Sequence, residues 1–286
     1  MRKNIITVIL LSLLPIIFIL NNISIFTRHT TISPSYLTVH FIDVGQGDSI
    51  LIQINNKNML IDSGPSESSD KLFDFLDSHN ISTLDYVIAT HPHEDHIGNM
   101  AEVIKKYNIK SFYSPKVITS EKSFENMVYS LKSKKIKINV LKKNSSSINL
   151  GKNTSIIVYS PENNSYDNIN NYSVVMKISY KNNSFIFTGD AEKEVEQSIL
   201  SQNNNLSCDV LKIGHHGSST STTEDFLNAC NPSIAVISVG EYNEFNHPDS
   251  EIIDRLVNCK CKIYRTDKDK SVTLISDGNS IRHMIN

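Results

Sequence analysis

Thr90-His91-Pro92-His93-Glu94-Asp95-His96-Ile97-Gly98 decides how this chain is read. Three histidines and an aspartate crowd into a few positions directly after the apolar run Tyr86-Val87-Ile88-Ala89. A short run with β-branched residues predicts a buried strand. Pro92 blocks a smooth helical continuation, which puts the histidine cluster on a loop at the strand's end. Met100, Val103, Ile104 and Tyr107 then recur at helical spacing, so a helix is expected to begin near Ile97. Neutral imidazoles and carboxylates are ligands that zinc, manganese or iron accept. On a rigid strand-to-helix loop they are nearly preorganised, which suits a metal centre used in catalysis. A loop of solvated surface histidines explains one such residue far better than it explains this cluster.

Away from this stretch, the 286-residue chain carries 28 Lys and Arg against 30 Asp and Glu, a formal net charge of −2. That balance excludes the global basic field of a nucleic-acid coat protein, so a polyanion would need a local patch or bound metal. The length suits one large domain or two small ones. Arg2 and Lys3 precede an apolar run from Ile5 to Leu20, ended by Asn21-Asn22, which is the pattern of an export signal. No small-residue cleavage site and no lipid-attachment cysteine follow it. A membrane span needs about 20 apolar residues, and Ile23, Ile25 and Phe26 bring the run close to that. An uncleaved signal-anchor is therefore expected over residues 1–30, including a tether, with residues 31–286 as the main domain. A cleaved signal peptide is the second reading and a core helix the third. The positive-inside rule keeps Arg2 and Lys3 cytoplasmic and places the main domain outside the cell, membrane-anchored or, if cleaved, secreted. Cys208, Cys230, Cys259 and Cys261 read as structural; Cys259 and Cys261 share a strand face and cannot comfortably pair.

In chain order, strands are expected at Leu37 to Asp43, Ile50 to Ile54 and Met59 to Asp62, with Asp43-Val44-Gly45-Gln46-Gly47-Asp48-Ser49 between the first two. The two glycines fit either a tight hairpin or a close approach to a ligand. A helix from Lys71 to His79 precedes the metal loop. Residues from Lys105 to Lys143 are rich in lysine, as a solvated face or, less often, as a polyanion-binding rim. Strands follow at Ser155 to Tyr159, Ser173 to Tyr180 and Ser184 to Thr188, the last ending at Gly189-Asp190, then a helix from Glu192 to Leu200. The strand Cys208 to Ile213 leads into Gly214-His215-His216-Gly217-Ser218, and adjacent histidines flanked by glycine are poor core material. A helix from Thr222 to Ala229, a strand from Ser233 to Val239, a loop reaching Asn246-His247-Pro248, a helix from Glu251 to Val257, and strands at Lys262 to Arg265 and Ser271 to Ile275 complete the chain.

His-x-His-x-Asp-His at a strand end is similar to the signature of the metallo-β-lactamase fold. The resemblance implies an α/β (α+β) fold, an αββα sandwich of two mixed β-sheets flanked by helices, with metals at one edge. It assigns His91 and His93 to a first metal, Asp95 and His96 to a second, Asp190 as the bridge and His247 as the last ligand of the second. Asp43-Val44-Gly45-Gln46-Gly47-Asp48-Ser49 and Tyr264-Arg265-Thr266-Asp267 further resemble the metallo-β-lactamase-like domain of ComEC-type competence proteins, which act in DNA uptake. That likeness runs from Leu37 to the C-terminus without the multi-span channel region, implying a free-standing relative. Asp43, Asp48 and Asp62 are expected to support the site. No histidine lies between His96 and His215, where most such hydrolases complete the first metal position. The ComEC-type pattern has Asn and Ser there, matched by Asn170-Asn171-Tyr172-Ser173. The first position then keeps His91, His93 and Asp190, completed by water or by His215 or His216. A single-metal centre of Asp95, His96, Asp190 and His247 is the other stoichiometry.

The resemblance implies one or two divalent ions, zinc or manganese, and an exported phosphodiesterase or nuclease that uses a metal-activated water on DNA. Asp95 would orient that water, and His215 or His216 would touch the phosphate or assist the leaving oxygen. Asn171, Ser173, His216 and Ser218 are the expected substrate contacts. DNA, the membrane and a DNA-uptake channel are the expected partners. The alternatives are another exported esterase, of phosphorylcholine esterase or lactonase type, and a non-catalytic metal-dependent DNA-binding module.

Overall fold

Strands with apolar side chains on both faces stack this chain into layers. The computed structural model describes residues 35–162, 165–202 and 205–284. In it, β1 (Leu37–Phe41), β2 (Ile50–Ile54) and β3 (Lys57–Ile61) pair antiparallel. β4 (Thr83–Ile88), β5 (Asn108–Ser114) and β6 (Ile138–Val140) continue parallel to β3. The second sheet starts with an antiparallel meander of β7 (Thr154–Ser160), β8 (Val175–Tyr180) and β9 (Asn183–Phe187). It goes on with β10 (Val210–Lys212), β11 (Ile234–Ile237) and β12 (Lys262–Arg265), all parallel to β9. β13 (Val272–Ser276) returns to the first sheet beside β1, and β14 (Ile281–Met284) covers its edge.

Leu37, Val39 and Phe41 of β1, Ile50, Ile52 and Ile54 of β2, Phe185 and Phe187 of β9, and Val272 and Leu274 of β13 fill one seam between the sheets. The alternate residues turn outward. Leu51 and Leu60 meet Leu72 and Leu76 of α1 (Ser69–Ser78) and Val103 and Ile104 of the helix Met100–Lys106. On the far side Ile186 meets Val195, Ile199, Phe226, Leu227, Ile252 and Leu256 from three helices, Lys193–Leu200, Glu224–Cys230 and Ser250–Asn258. Three apolar seams in four layers make the expected αββα sandwich of two mixed sheets.

Two local expectations change. The metal loop is only partly a loop, because Glu94–Ile97 already forms a helical turn behind extended His93 (φ −75°, ψ 151°). Pro92 disfavours helix for the residue before it and leaves the chain after it free to wind. β14 was not expected; its half-exposed, mixed sequence carries little periodic signal. All four cysteines are free thiols, Cys208 and Cys230 buried in the outer seam of the second sheet. The N-terminal apolar segment lies outside the described residues, and among the described residues no helix is long and apolar enough to cross a membrane.

The parallel strands position the site. Asp62 follows β3, Thr90 to His96 follow β4, Asp190 follows β9 and His215-His216 follow β10. Ligand-bearing loops at the carboxyl ends of parallel strands are the general arrangement in α/β sheets.

Candidate metal centre

Asp62, fully buried at the end of β3, organises the first histidine loop. Its carboxylate accepts the Thr90 N–H at 2.8 Å, the Thr90 hydroxyl at 2.6 Å and His96 Nδ1 at 2.9 Å. Nδ1 of His96 is thereby committed, and Nε2 faces the centre. His91 is oriented the same way, with Nδ1 3.2 Å from Thr90 Oγ1 and 3.3 Å from Ser173 Oγ. Its Nε2 lies 3.0 Å from His93 Nδ1. Gly47 explains the glycine pair: a Cβ there would come within 2.2 Å of the Asp95 carbonyl oxygen. The bare backbone lets the Asp48 N–H donate to that oxygen at 3.1 Å, locking the two loops together.

Asp190 is the point of convergence. Its Oδ2 lies 3.2 Å from His96 Nε2, 3.5 Å from His216 Nε2, and 3.9 Å from the Nε2 atoms of both His91 and His215. Asp95 Oδ2 is 3.1 Å from His216 Nε2 and 3.9 Å from His96 Nε2. The ligand atoms of Asp95, His96, Asp190 and His216 all fall within 4.8 Å of one another. Among them, buried His96 Nε2 and Asp190 Oδ1 have no hydrogen-bond partner. Buried donors and acceptors that close on a common point without pairing are what a divalent cation satisfies, so the residues fit a metal.

The electrostatics agree. Burial opposes charge on His96 and His216, yet Asp190 and Asp95 hold His96 well above the ordinary imidazole range and His216 up at about 10. Burial likewise opposes charge on Asp95 and Asp190, and His96 and His216 overcome it and hold both low. Burial, then His96, keeps His91 neutral. Two carboxylates here hold two imidazoles protonated, so protons and metal ions compete for the cluster.

Lys212 was not among the expected site residues. It is fully buried, with Nζ 2.5 Å from Asp48 Oδ2. Asp48 in turn lies 3.8 Å from His216 Nδ1 and 4.0 Å from His96 Nδ1. Asp48, Asp62 and His96 form a second cluster of ligand type behind the first, and the Lys212 ammonium supplies its cation. The sequence signal was a lysine inside an otherwise apolar strand, which reads locally as an edge or a solvated position.

A cavity of about 530 Å³ opens over the centre, lined by His93, Asp95, Asp190, His215, His216 and His247 together with Gln46, Pro65, Glu67, Glu94, Glu121, Glu244 and Phe245. The place expected for His247 beside Asp95, His96 and Asp190 is taken by His216, whose Nδ1 is fixed 2.9 Å from the Ser238 carbonyl. His247 stands at the mouth, stacked on Phe245 and edge-on to His215, each at 5.7 Å between ring centroids. Asn171, Ser173 and Ser218 are buried and do not line this cavity. Asn171 accepts the Glu192 N–H and donates to Glu194, Ser173 accepts the Asp190 N–H at 3.0 Å, and Ser218 is engaged with Thr220. They brace the loops instead of facing a substrate. Asp43 likewise caps the glycine turn, accepting the Gly45 N–H at 3.2 Å, and contacts Lys71 instead of the metal group. The lysine-rich stretch supplies Glu121 but no lysine to the cavity lining; Lys106, Lys110 and Lys143 pair with Asp77, Asp85 and Glu162.

Residues 42–241 match the family model described as the Metallo-beta-lactamase superfamily. The chain belongs to that superfamily. It is 32% identical over 252 residues to ComE operon protein 3 of Bacillus subtilis, covering 82% of this chain and 32% of that protein. It is 28% identical over 238 residues to Recombination protein 2 of Haemophilus influenzae, covering 80% and 27%. It is 27% identical over 233 residues to Competence protein ComA of Neisseria gonorrhoeae, covering 79% and 30%. The chain thus spans about a third of the length of these relatives. In three dimensions it is similar to the metallo-beta-lactamase fold protein YhfI of Bacillus subtilis, with a TM-score of 0.57 at 11% identity over 84% of this chain and all of that one. The expected resemblance to competence proteins is borne out, and the Asp95, His96, Asp190 and His216 group is compatible with divalent metal ions.

Proposed function

We propose that the chain is a metal-dependent phosphodiesterase that cleaves DNA outside the cell membrane. The observation that carries the hydrolase chemistry is the convergence of Asp95, His96, Asp190 and His216 beneath an open cavity. Kinship to proteins named for competence and recombination supports DNA as the substrate. Asp95, His96, Asp190 and His216, with His91 and His93 beside them, would hold zinc or manganese. Such an ion lowers the pKa of a water toward about 7 and offsets the charge that develops on phosphate.

The chain's own groups do the rest. Asp95, whose carboxylate is still partly exposed to the cavity, would orient the attacking water. Burial, followed by His215 and His216, holds His247 below the ordinary imidazole range, so at neutral pH it is a neutral acceptor at the mouth. Glu67, Glu94, Glu121 and Glu244 line the same cavity, and no Lys or Arg does among the described residues. Phosphate affinity would therefore depend on bound metal, with little help from a basic rim. An export signal at residues 1–30 would deliver the domain to the outer face, anchored or released, where a DNA-uptake channel is the natural partner.

The acidic mouth favours a second reading, in which the substrate is a phosphate ester bearing a cationic group, of the phosphorylcholine type. Glu244 and the aromatic face of Phe245 are suited to an ammonium. One experiment separates the two. The full chain is incubated with single- and double-stranded DNA and with p-nitrophenyl phosphorylcholine, in Mn²⁺, Zn²⁺ or EDTA, beside the Asp95→Ala, His96→Ala variant. Chelator-sensitive DNA cleavage lost in the variant is expected. Turnover of the choline ester by metal-loaded protein that spares DNA would move the assignment to the second reading.

A further inference from the structure

We propose that His215 completes the first metal position, standing in for the histidine that the chain lacks between His96 and the second histidine loop. Four imidazoles aim Nε2 at one oxygen, Asp190 Oδ2, and His215 is among them at 3.9 Å. In each of the four, Nδ1 is committed to an oxygen on the other side of the ring. For His215 those oxygens are Thr220 Oγ1 at 3.1 Å and Glu192 Oε1 at 3.4 Å. A carboxylate behind an imidazole fixes the tautomer and makes the opposite nitrogen the better donor, which is the usual support of a metal-bound histidine.

The position is also right. His215 Nε2 lies 3.4 Å from Asn170 Nδ2, in the segment that replaces the missing histidine. The backbone ties His215 to the bridging loop, its N–H donating to the Gly189 carbonyl at 3.2 Å. His216 Nε2 is shared with a second carboxylate, 3.1 Å from Asp95 Oδ2. His91, His93 and His215 with Asp190 then give three imidazoles and a carboxylate, a sufficient donor set for a first ion. Asp95, His96 and His216, again with Asp190, would hold the second.

This inference rests on the metal-dependent reading but on no substrate, so it is tested by metal binding alone. The full chain is stripped with chelator and titrated with Zn²⁺, and with Co²⁺ to read the ligand-field spectrum. The wild type is expected to take two ions. His215→Asn, chosen because asparagine tolerates the left-handed backbone at this residue (φ 48°), should keep one tight ion and bind the other at least ~10-fold more weakly, with an altered Co²⁺ spectrum. Glu192→Gln should weaken the same ion by a smaller factor, and His247→Asn should leave both unchanged. Melting curves of the metal-free variants confirm folding. Two ions bound by His215→Asn with wild-type affinity and spectrum, or a wild type that takes only one, would overturn the proposal. Two ions without DNA cleavage would leave it standing and count against the nuclease reading only.

Discussion

The loop from Thr90 to His96 and the loop from Gly214 to Gly217 aim imidazoles at the same Asp190 oxygen, yet they are held in different ways. In the first, one buried carboxylate, Asp62, takes three hydrogen bonds and sets both the backbone at Thr90 and the ring of His96. None of its residues has a positive φ. In the second, His215 and His216 are consecutive left-handed residues, at φ 48° and 53°. That conformation costs roughly 1–2 kcal/mol for each non-glycine residue. It persists because surrounding backbone fixes it: Gly189 accepts from the His215 N–H, and Ser238 faces His216 Nδ1. One loop is shaped by a side-chain anchor, and the other is forced into shape by its tertiary neighbours. Strain over-determined in this way is characteristic of functional sites.

The largest effect is expected at the atom the loops share. Asp190→Ala should weaken binding of divalent ions, read by metal analysis, and, on the proposed phosphodiesterase reading, abolish turnover of bis(p-nitrophenyl) phosphate. Full turnover with either loop alone holding an ion would break the idea of a common centre.

Next come the two supports. Lys212→Met strands the buried Asp48 carboxylate and should cost about 3–5 kcal/mol in urea unfolding. Adding Asp48→Asn to that variant should recover much of the loss, since removing both partners of a buried pair is often near neutral. Asp62→Ala should lower metal affinity by roughly 10–100-fold, as loss of a ligand's orienting partner does, and should leave the His215-His216 loop folded. A double variant no better than Lys212→Met alone, or an Asp62→Ala protein with wild-type metal affinity, would remove the distinction between the two modes of support.

Acid sharpens the comparison from outside the site. His40, buried on β1 between Thr273 and Gln53, is held down at about 3, chiefly by burial and then by His79, against the Gln53 bond. Below pH about 6.5 the unfolded chain takes a proton that the folded chain refuses. The contribution is therefore complete above that pH and is lost as pH falls toward 3, at up to ~1.4 kcal/mol per unit. Urea unfolding of metal-free protein at pH 7 and pH 5 should show this slope, and His40→Asn should reduce it. A slope unchanged in His40→Asn would place the acid sensitivity in the histidine loops.

The smallest effect has the most telling sign. His215→Gly relieves one left-handed residue and should stabilise the metal-free chain by up to about 1 kcal/mol, even as metal affinity drops. Loss of stability together with affinity would mean that the second loop is anchored by side chains like the first.

The sequence by itself determined the strand ends that carry ligands, and His91, His93, Asp95 and His96 as a group; the sandwich followed from the resemblance those residues carry. The group rests on local signals, namely a short β-branched apolar run, one proline and ligands a few residues apart. Asp190 was legible only from the order of the motifs, because Gly-Asp after a strand is common. Only the tertiary structure decided that His216 and not His247 joins the four-residue group, that Lys212 is a buried counterion, and that Asn171, Ser173 and Ser218 brace loops. Each of those depends on where β10 and the loop before Pro248 lie relative to β4, a separation of more than a hundred residues in sequence. Residue type and spacing carry no information about which of two nearby histidines points inward; packing of the second sheet against the first supplies it.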